Sequence, residues 1–189
     1  MKIAQETLLN TERLCLRKIQ KRDLEDIIEI YSSKEIFQYT NSDMDLSSEF
    51  FHIEKDCALS MIESWETDGD LMCWGIVLKH ESKLIGRIYL YGITGNEYAG
   101  YRVDVGYSIS VAYSGHGYAT EAVKRLTDYG FAELKVTRFQ AEILPKNVAS
   151  IKVCEKSGFQ NEGLLHKYSF YKNNGNCFRD VVMMALTRS

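Results

Sequence analysis

Residues 113–122 read YSGHGYATEA. Gly115 and Gly117 flank a histidine, and helix formers follow them. Glycine costs backbone entropy, so a pair at the mouth of a helix implies positive φ or the close approach of another group. A helix start also presents unpaired N–H groups and the positive end of the macrodipole, which suits an anion. Two familiar phosphate loops do not fit. A dinucleotide fingerprint needs a third glycine where Thr120 stands and an acidic residue about 20 positions on, whereas the downstream strand opens VTRF. A Walker A loop needs Gly-Lys-Ser/Thr, and Gly117 is followed by Tyr118 and Ala119. On these ten residues alone, a plain strand-to-helix turn stays open as the bland alternative.

Working outward, Ala119, Ala122, Val123 and Leu126 mark the buried face of a helix running to about Leu134. Upstream, VDVGYSISV (103–111) reads as a strand. LMCWGIVLK (71–79) and LIGRIYLY (84–91) read as a hairpin joined by HESK, and residues 92–102 as a glycine-containing loop. Near the start, Leu14, Leu16 and Ile19 suggest a short strand, and Asp23 an N-cap for a helix bearing Leu24, Ile27, Ile28 and Tyr31. Ser47 or Ser48 caps a second helix with Cys57, Ala58, Met61, Ile62 and Trp65 on one face. Downstream, VTRFQAEI (136–143) reads as a strand, and Pro145 precedes Asn147 and a short helix that Gly158-Phe159 closes as a Schellman stop. GLLHKYSFY (163–171) and CFRDVVMMAL (177–186) make two last strands around the turn signal KNNGN. Antiparallel strands first and strand–helix alternation later predict a mixed α/β layer fold. With no repeat and no linker, residues 1–189 read as a single domain.

Composition narrows the function. The 189 residues are 45% hydrophobic and 26% charged, as in ordinary soluble globular proteins. A net charge of -3 gives no general attraction to nucleic acid or to an anionic membrane, so neither is an expected partner. The N-terminus lacks the unbroken apolar core of a signal peptide, and VVMMAL is far too short to span a bilayer. Five scattered cysteines without a CxxC pair argue for reduced thiols in a cytoplasmic protein and against a zinc site. His52, His80, His116 and His166 show no metal-binding spacing, so no metal is expected.

VDVGYSISVAYSGHGYATEA, followed by NVASIKVCEKSGF, resembles the GNAT superfamily of acyl-CoA-dependent N-acyltransferases. Within it the chain is most similar to the RimJ/RimL-like branch, which acetylates protein N-termini and other amines. The family loop is Gln/Arg-x-x-Gly-x-Gly/Ala; Ser114, Gly117 and Ala119 hold its defined places, with Ser114 the departure. TERLCLRKIQKRD and FRDVVMMAL resemble the family's first and last segments, so the likeness runs from about residue 11 to 187. It implies a GNAT fold: a mostly antiparallel central sheet, splayed at a cofactor cleft, with helices on both faces. It implies acetyl-CoA as cosubstrate and no metal. The anion at the helix mouth is then the pyrophosphate of coenzyme A, held by amides of Gly115, His116, Gly117, Tyr118, Ala119 and Thr120. The His116 side chain itself is expected to face solvent.

The resemblance further implies that pantetheine lies along the preceding strand, on backbone groups of Ile109, Ser110 and Val111. An amine attacks the thioester carbonyl directly, with an amide near Ile109 polarising its oxygen. Deprotonating an α-amine of pKa near 8 costs about 1.4 kcal/mol at pH 7, against roughly 4.6 for a lysine, so a modest base working through water suffices for an N-terminal amine. Asp104 stands where the family often places Glu; Glu162 is a second candidate, water alone a third, and a solvated carboxylate the bland reading of either. Many members protonate the leaving thiolate with a tyrosine seven residues after the helix-opening Asn, where this chain has Cys154. Ser150 is the expected substitute, with Asn147 holding a pantetheine amide. N-cap and first-turn roles for Asn147 and Ser150 are compatible with this. Cys154 reads as a small core residue. Tyr168 and Tyr171 are candidates for the acceptor pocket, which the Ser47–Trp65 helix and the 92–101 loop should cover. The acceptor is a protein N-terminus or an amine-bearing small molecule such as a polyamine or antibiotic; a non-catalytic acyl-CoA sensor is the rival class. The edge of a splayed sheet also offers a homodimer a surface.

Overall fold

The computed structural model describes residues 7–40, 46, 51–172 and 176–188. Its eight strands are β1 (Leu9–Asn10), β2 (Leu14–Arg17), β3 (Met72–Leu78), β4 (Lys83–Asn96), β5 (Gly100–Ile109), β6 (Val136–Ile143), β7 (Gln160–Tyr171) and β8 (Cys177–Thr187). They form one sheet in the order β1-β2-β3-β4-β5-β6-β8-β7. Every neighbouring pair is antiparallel except β5 and β6. That parallel pair needs a crossover, and α3 (Tyr118–Glu133) supplies it.

Alternating side chains send the strands' apolar residues to two separate cores. On one face Trp74, Ile76, Ile88, Leu90, Val103 and Val105 pack with Ala122, Val123 and Leu126 of α3 and Cys154 of α4 (Val148–Lys156). The other core joins Val77 and Leu84 to α1 (Leu24–Tyr31) and α2 (Lys55–Thr67). The predicted stripe of α2 is real: Ala58, Ile62 and Trp65 are its buried residues. Gly130 of α3 is pressed against the Phe139 ring, leaving no space for a Cβ. The Schellman stop also forms: Gly158 takes φ 91°, Phe159 N–H reaches Cys154 O at 3.0 Å, and Phe159 is buried.

Three expectations need correction. Residues 92–102 are not a loop; β4 and β5 continue through them as a hairpin to Asn96↔Gly100. Gly92 (φ 58°) serves a register shift between Tyr91 and Thr94, Gly95 (φ 115°) follows it in the ladder opposite Tyr101, and a bulge glycine has the same sequence signature as a loop glycine. Asp23 precedes α1 but does not cap it with its side chain; it accepts from Arg17 at 2.7 and 2.8 Å and from Gln20 N–H at 2.8 Å, the second half of a capping box on the 3-10 turn Lys21–Asp23. Ile19 lies beyond the end of β2. Helix α2 begins at Lys55, and the proposed caps Ser47 and Ser48 lie outside the described residues.

Candidate active site

The site starts where β5 and β6 part. Their last paired residues are Asp104 and Gln140. Beyond that point β5 stays with β4 as far as Ile109, while β6 stays with β8 as far as Ile143. The sheet therefore opens as a wedge with Asp104 at its apex. Strand parity fixes what lines it. Ser110 N–H donates to Ile85 O at 2.7 Å, so the peptide groups of Val105, Tyr107 and Ile109 face away from β4, into the wedge. Of the three backbone positions expected to hold pantetheine, Ile109 faces the opening. Ser110 N–H is committed to β4, and Val111 begins a 3-10 turn.

The glycine loop lies at the wide end of the wedge. Gly115 and Gly117 both adopt φ 81°, and Gly117 is the N-cap of α3. A Cβ on Gly115 would meet open space, so its requirement is conformational. The first helical bond is Glu121 N–H to Gly117 O at 3.1 Å, which leaves the first-turn amides of Tyr118, Ala119 and Thr120 without helical partners. The His116 ring is exposed, bonded through Nδ1 to Ser114 O at 2.9 Å and stacked on Tyr118. A carbonyl only accepts, so Nδ1 carries the proton.

Arg13 holds this loop, and sequence reading missed it. Its guanidinium donates to His116 O at 3.0 Å and lies 4.6 Å from the Tyr118 ring centre. Its Nε meets Glu121 at 2.7 Å, and its backbone N–H and the Thr11 hydroxyl bind the other oxygen of that carboxylate. Residues 108 positions apart clamp the helix mouth, a pairing with no local sequence signal. Open space at Gly115, unpaired amides and a cation beside them fit a pyrophosphate group.

On the α3/α4 face, Asn147 caps α4 with Oδ1, accepting from Ser150 N–H at 3.1 Å. Ser150 Oγ lies 2.7 Å from the Tyr107 hydroxyl, which also reaches Ser150 O at 3.1 Å and Cys154 Sγ at 3.8 Å. A phenol from β5 thus occupies the neighbourhood of Cys154, whose position carries the tyrosine in many family members. Burial pushes the Tyr107 phenol far above its ordinary range and the Cys154 thiol up to about 11. Cys154 is therefore a buried neutral thiol with a poor claim to nucleophilicity.

The opposite face carries the acids. Tyr91, Asp104, Gln140 and Glu142 share it by register, and Glu142 accepts from Ser169 Oγ. Asp104 is buried, and its Oδ1 has no hydrogen-bond partner among the described residues. Burial raises its pKa and the Glu142 charge adds to that, against a lowering hydrogen bond from Gln140. Gly92 makes room for it: a Cβ there would overlap Asp104 Oδ2. Tyr89 lies flat across Gly106, where a Cβ would strike its ring. Glu162 is placed differently. It is exposed and forms a two-pronged pair with Arg138 at 2.8 and 2.5 Å, which lowers its pKa. A carboxylate held as the anion on both oxygens is a weak proton acceptor. Tyr171 belongs to the acidic face: burial raises its pKa, with Glu142 contributing, whereas Tyr168 is half exposed. No group of three His, Cys, Asp or Glu side chains among the described residues could hold a metal ion.

A wedge in a sheet, a glycine-lined helix mouth beside it and an acid at its apex invite comparison with known proteins. The family profile described as Acetyltransferase (GNAT) domain matches residues 13–160. The chain belongs to the GNAT acetyltransferase family. An uncharacterized N-acetyltransferase of Bacillus licheniformis, p20, is 31% identical over 184 residues, covering 95% of this chain and 96% of that protein. Among solved structures, Mycobacterium smegmatis RimJ in complex with CoA-disulfide superposes with a TM-score of 0.79 at 21% identity, covering 96% of this chain and 88% of RimJ. Spermidine N-acetyltransferase from Vibrio cholerae in complex with CoA and spermine gives 0.72 at 20% identity, covering 94% and 96%. Those two likenesses establish the GNAT fold; the acceptor must be argued from side chains.

Proposed function

We propose that this GNAT protein moves an acetyl group from acetyl-CoA to a primary amine by direct attack, and that its acceptor is the α-amine of a protein or peptide. The observation that carries this reading is the wedge at Asp104, which leaves one peptide edge of β5 free between a thiol-side and an acid-side group. The CoA pyrophosphate lies on the first-turn amides of α3, with Arg13 holding the loop. Pantetheine runs along β5 at Ile109, and the Asn147 side-chain amide binds it. Carriage of CoA by RimJ and by the spermidine enzyme supports this placement.

Asp104 accepts a proton from the incoming ammonium, directly or through a water molecule. The amine lone pair forms the C–N bond to the thioester carbonyl while an amide of the open β5 edge receives the oxygen's charge. The C–S bond then breaks, and its electron pair leaves on sulfur. Tyr107, kept protonated by burial, donates to Ser150, and the Ser150 hydroxyl proton turns toward the thiolate. The second proton lost from the attacking nitrogen reaches that thiolate through solvent, and the products are an amide and free CoA thiol. No side chain is acylated. Five cysteines outside any disulfide are compatible with a cytoplasmic setting for this chemistry, and among the described residues no helix is long and apolar enough to cross a membrane.

Thiol release from acetyl-CoA is the test. Short peptides with free Ser or Ala N-termini should be turned over, and blocking the N-terminus should abolish it. Turnover confined to spermidine or an aminoglycoside would move the acceptor to small amines. CoA binding with no release on any acceptor would make the domain a sensor.

A further inference from the structure

Arg87 projects from β4 onto the same face as Tyr89 and Tyr91, by strand alternation. Its guanidinium carbon lies 4.2 Å from the Trp65 ring centre, 4.5 Å from Tyr89 and 6.0 Å from Tyr31. Tyr31 is itself anchored across the wedge strand, its hydroxyl 3.0 Å from Ser108 Oγ. Arg87 Nε is fully buried and has no hydrogen-bond partner among the described residues. Arg13, Arg17 and Arg138 each meet a carboxylate. Around Arg87 the interacting groups are instead Tyr31, Tyr89 and Cys73.

An arginine keeps its charge at any working pH. Withdrawing that charge from water without an anion is unfavourable, and aromatic faces recover only part of the loss. The box therefore holds a cation prepared for an anion. Its position says which one. Arg87, Tyr89 and Tyr91 are register partners of Ser108, Gly106 and Asp104. At about 3.3 Å per residue, the Arg87 backbone stands ~13 Å from Asp104 along the strand, while its guanidinium lies against the Tyr89 ring, whose partner Gly106 is ~7 Å from Asp104. With its amine at Asp104, an extended peptide brings its second to fourth residues opposite Arg87.

We infer that Arg87 receives the side-chain carboxylate of an acidic residue at the second to fourth position of a peptide acceptor. This rests on the acetyl-transfer reading only in placing the acceptor on this face. A polyamine has no group for this subsite and would bring a second ammonium to the guanidinium.

Equilibrium binding tests this apart from catalysis. Calorimetry on the CoA-loaded protein compares Ser-Asp-Glu-Leu-Ala with its uncharged isostere Ser-Asn-Gln-Leu-Ala and with spermidine. The wild type should bind the acidic peptide at least ~10-fold more tightly than the isostere, a difference of about 1.4 kcal/mol. In Arg87→Met that ratio should fall to near one, and Arg87→Lys should restore part of it. Arg87→Gln serves if the Met variant does not fold. Equal wild-type affinities, or a preference that survives Arg87→Met, would overturn the assignment. Acidic preference without thiol release would uphold Arg87 and sink acetyl transfer; release without preference would do the reverse.

Discussion

Asp104→Asn should lower kcat by about 10²-fold or more, the usual scale for loss of a positioned base. The wild-type carboxylate must be ionised to accept a proton, and its pKa is raised by burial and by Glu142. The acceptor amine must also be neutral. Below the Asp104 pKa, log kcat/KM should therefore climb with a slope near two, and in the variant with a slope near one. An unchanged profile would remove Asp104 from the chemistry. Gly92→Ala should reproduce part of the loss, because its Cβ displaces the carboxylate.

Asp104→Asn should also stabilise the protein. A carboxyl whose pKa is raised on folding contributes stability below its unfolded value, and that contribution is lost as pH rises through the folded value. At neutral pH the variant no longer buries an ionised group with an unpartnered oxygen. Its Tm should rise by several degrees, ~1 kcal/mol being about 2–4 °C for a domain of this size. The gain should shrink as pH falls through the folded pKa. Lost activity with raised stability distinguishes a base from a structural residue.

Tyr107→Phe carries the second large effect. A hydrogen bond to a charged group contributes roughly 1.5–3 kcal/mol, so kcat should fall by about 10–100-fold with little change in the KM for acetyl-CoA. Ser150→Ala should behave alike. The double variant should be little worse than either single one, because both hydroxyls serve one thiolate through their 2.7 Å contact. Additive losses, or full activity in Tyr107→Phe, would break that relay.

How far the sequence could be read follows from the range of each interaction. Apolar spacing places the faces of α2 and α3, and Gly158-Phe159 ends α4, because these signals act within one or two turns. The helix-mouth glycines are legible for the same reason. Tyr107 reaches a serine 43 positions away, and Arg13 grips a carboxylate 108 positions away, so only the assembled sheet joins them. The burial of Asp104 depends on Gly92 in the neighbouring strand, the very glycine that makes 92–102 look like a loop. Glu162 stands beside an identifiable stop signal, but its pairing with Arg138 crosses from β7 to β6. Arg87 reads as an unremarkable strand cation until α1 and α2 bring Tyr31 and Trp65 over it.

The central claim, that CoA fills the wedge between β5 and β6 with its pyrophosphate at the mouth of α3, is tested most directly by amide hydrogen exchange with and without CoA. The account predicts slowed exchange at Val105, Tyr107 and Ile109 and across Gly115–Thr120, with β1 to β3 unaffected. Saturating CoA that leaves those amides unchanged, or protects a different edge of the sheet, would contradict it.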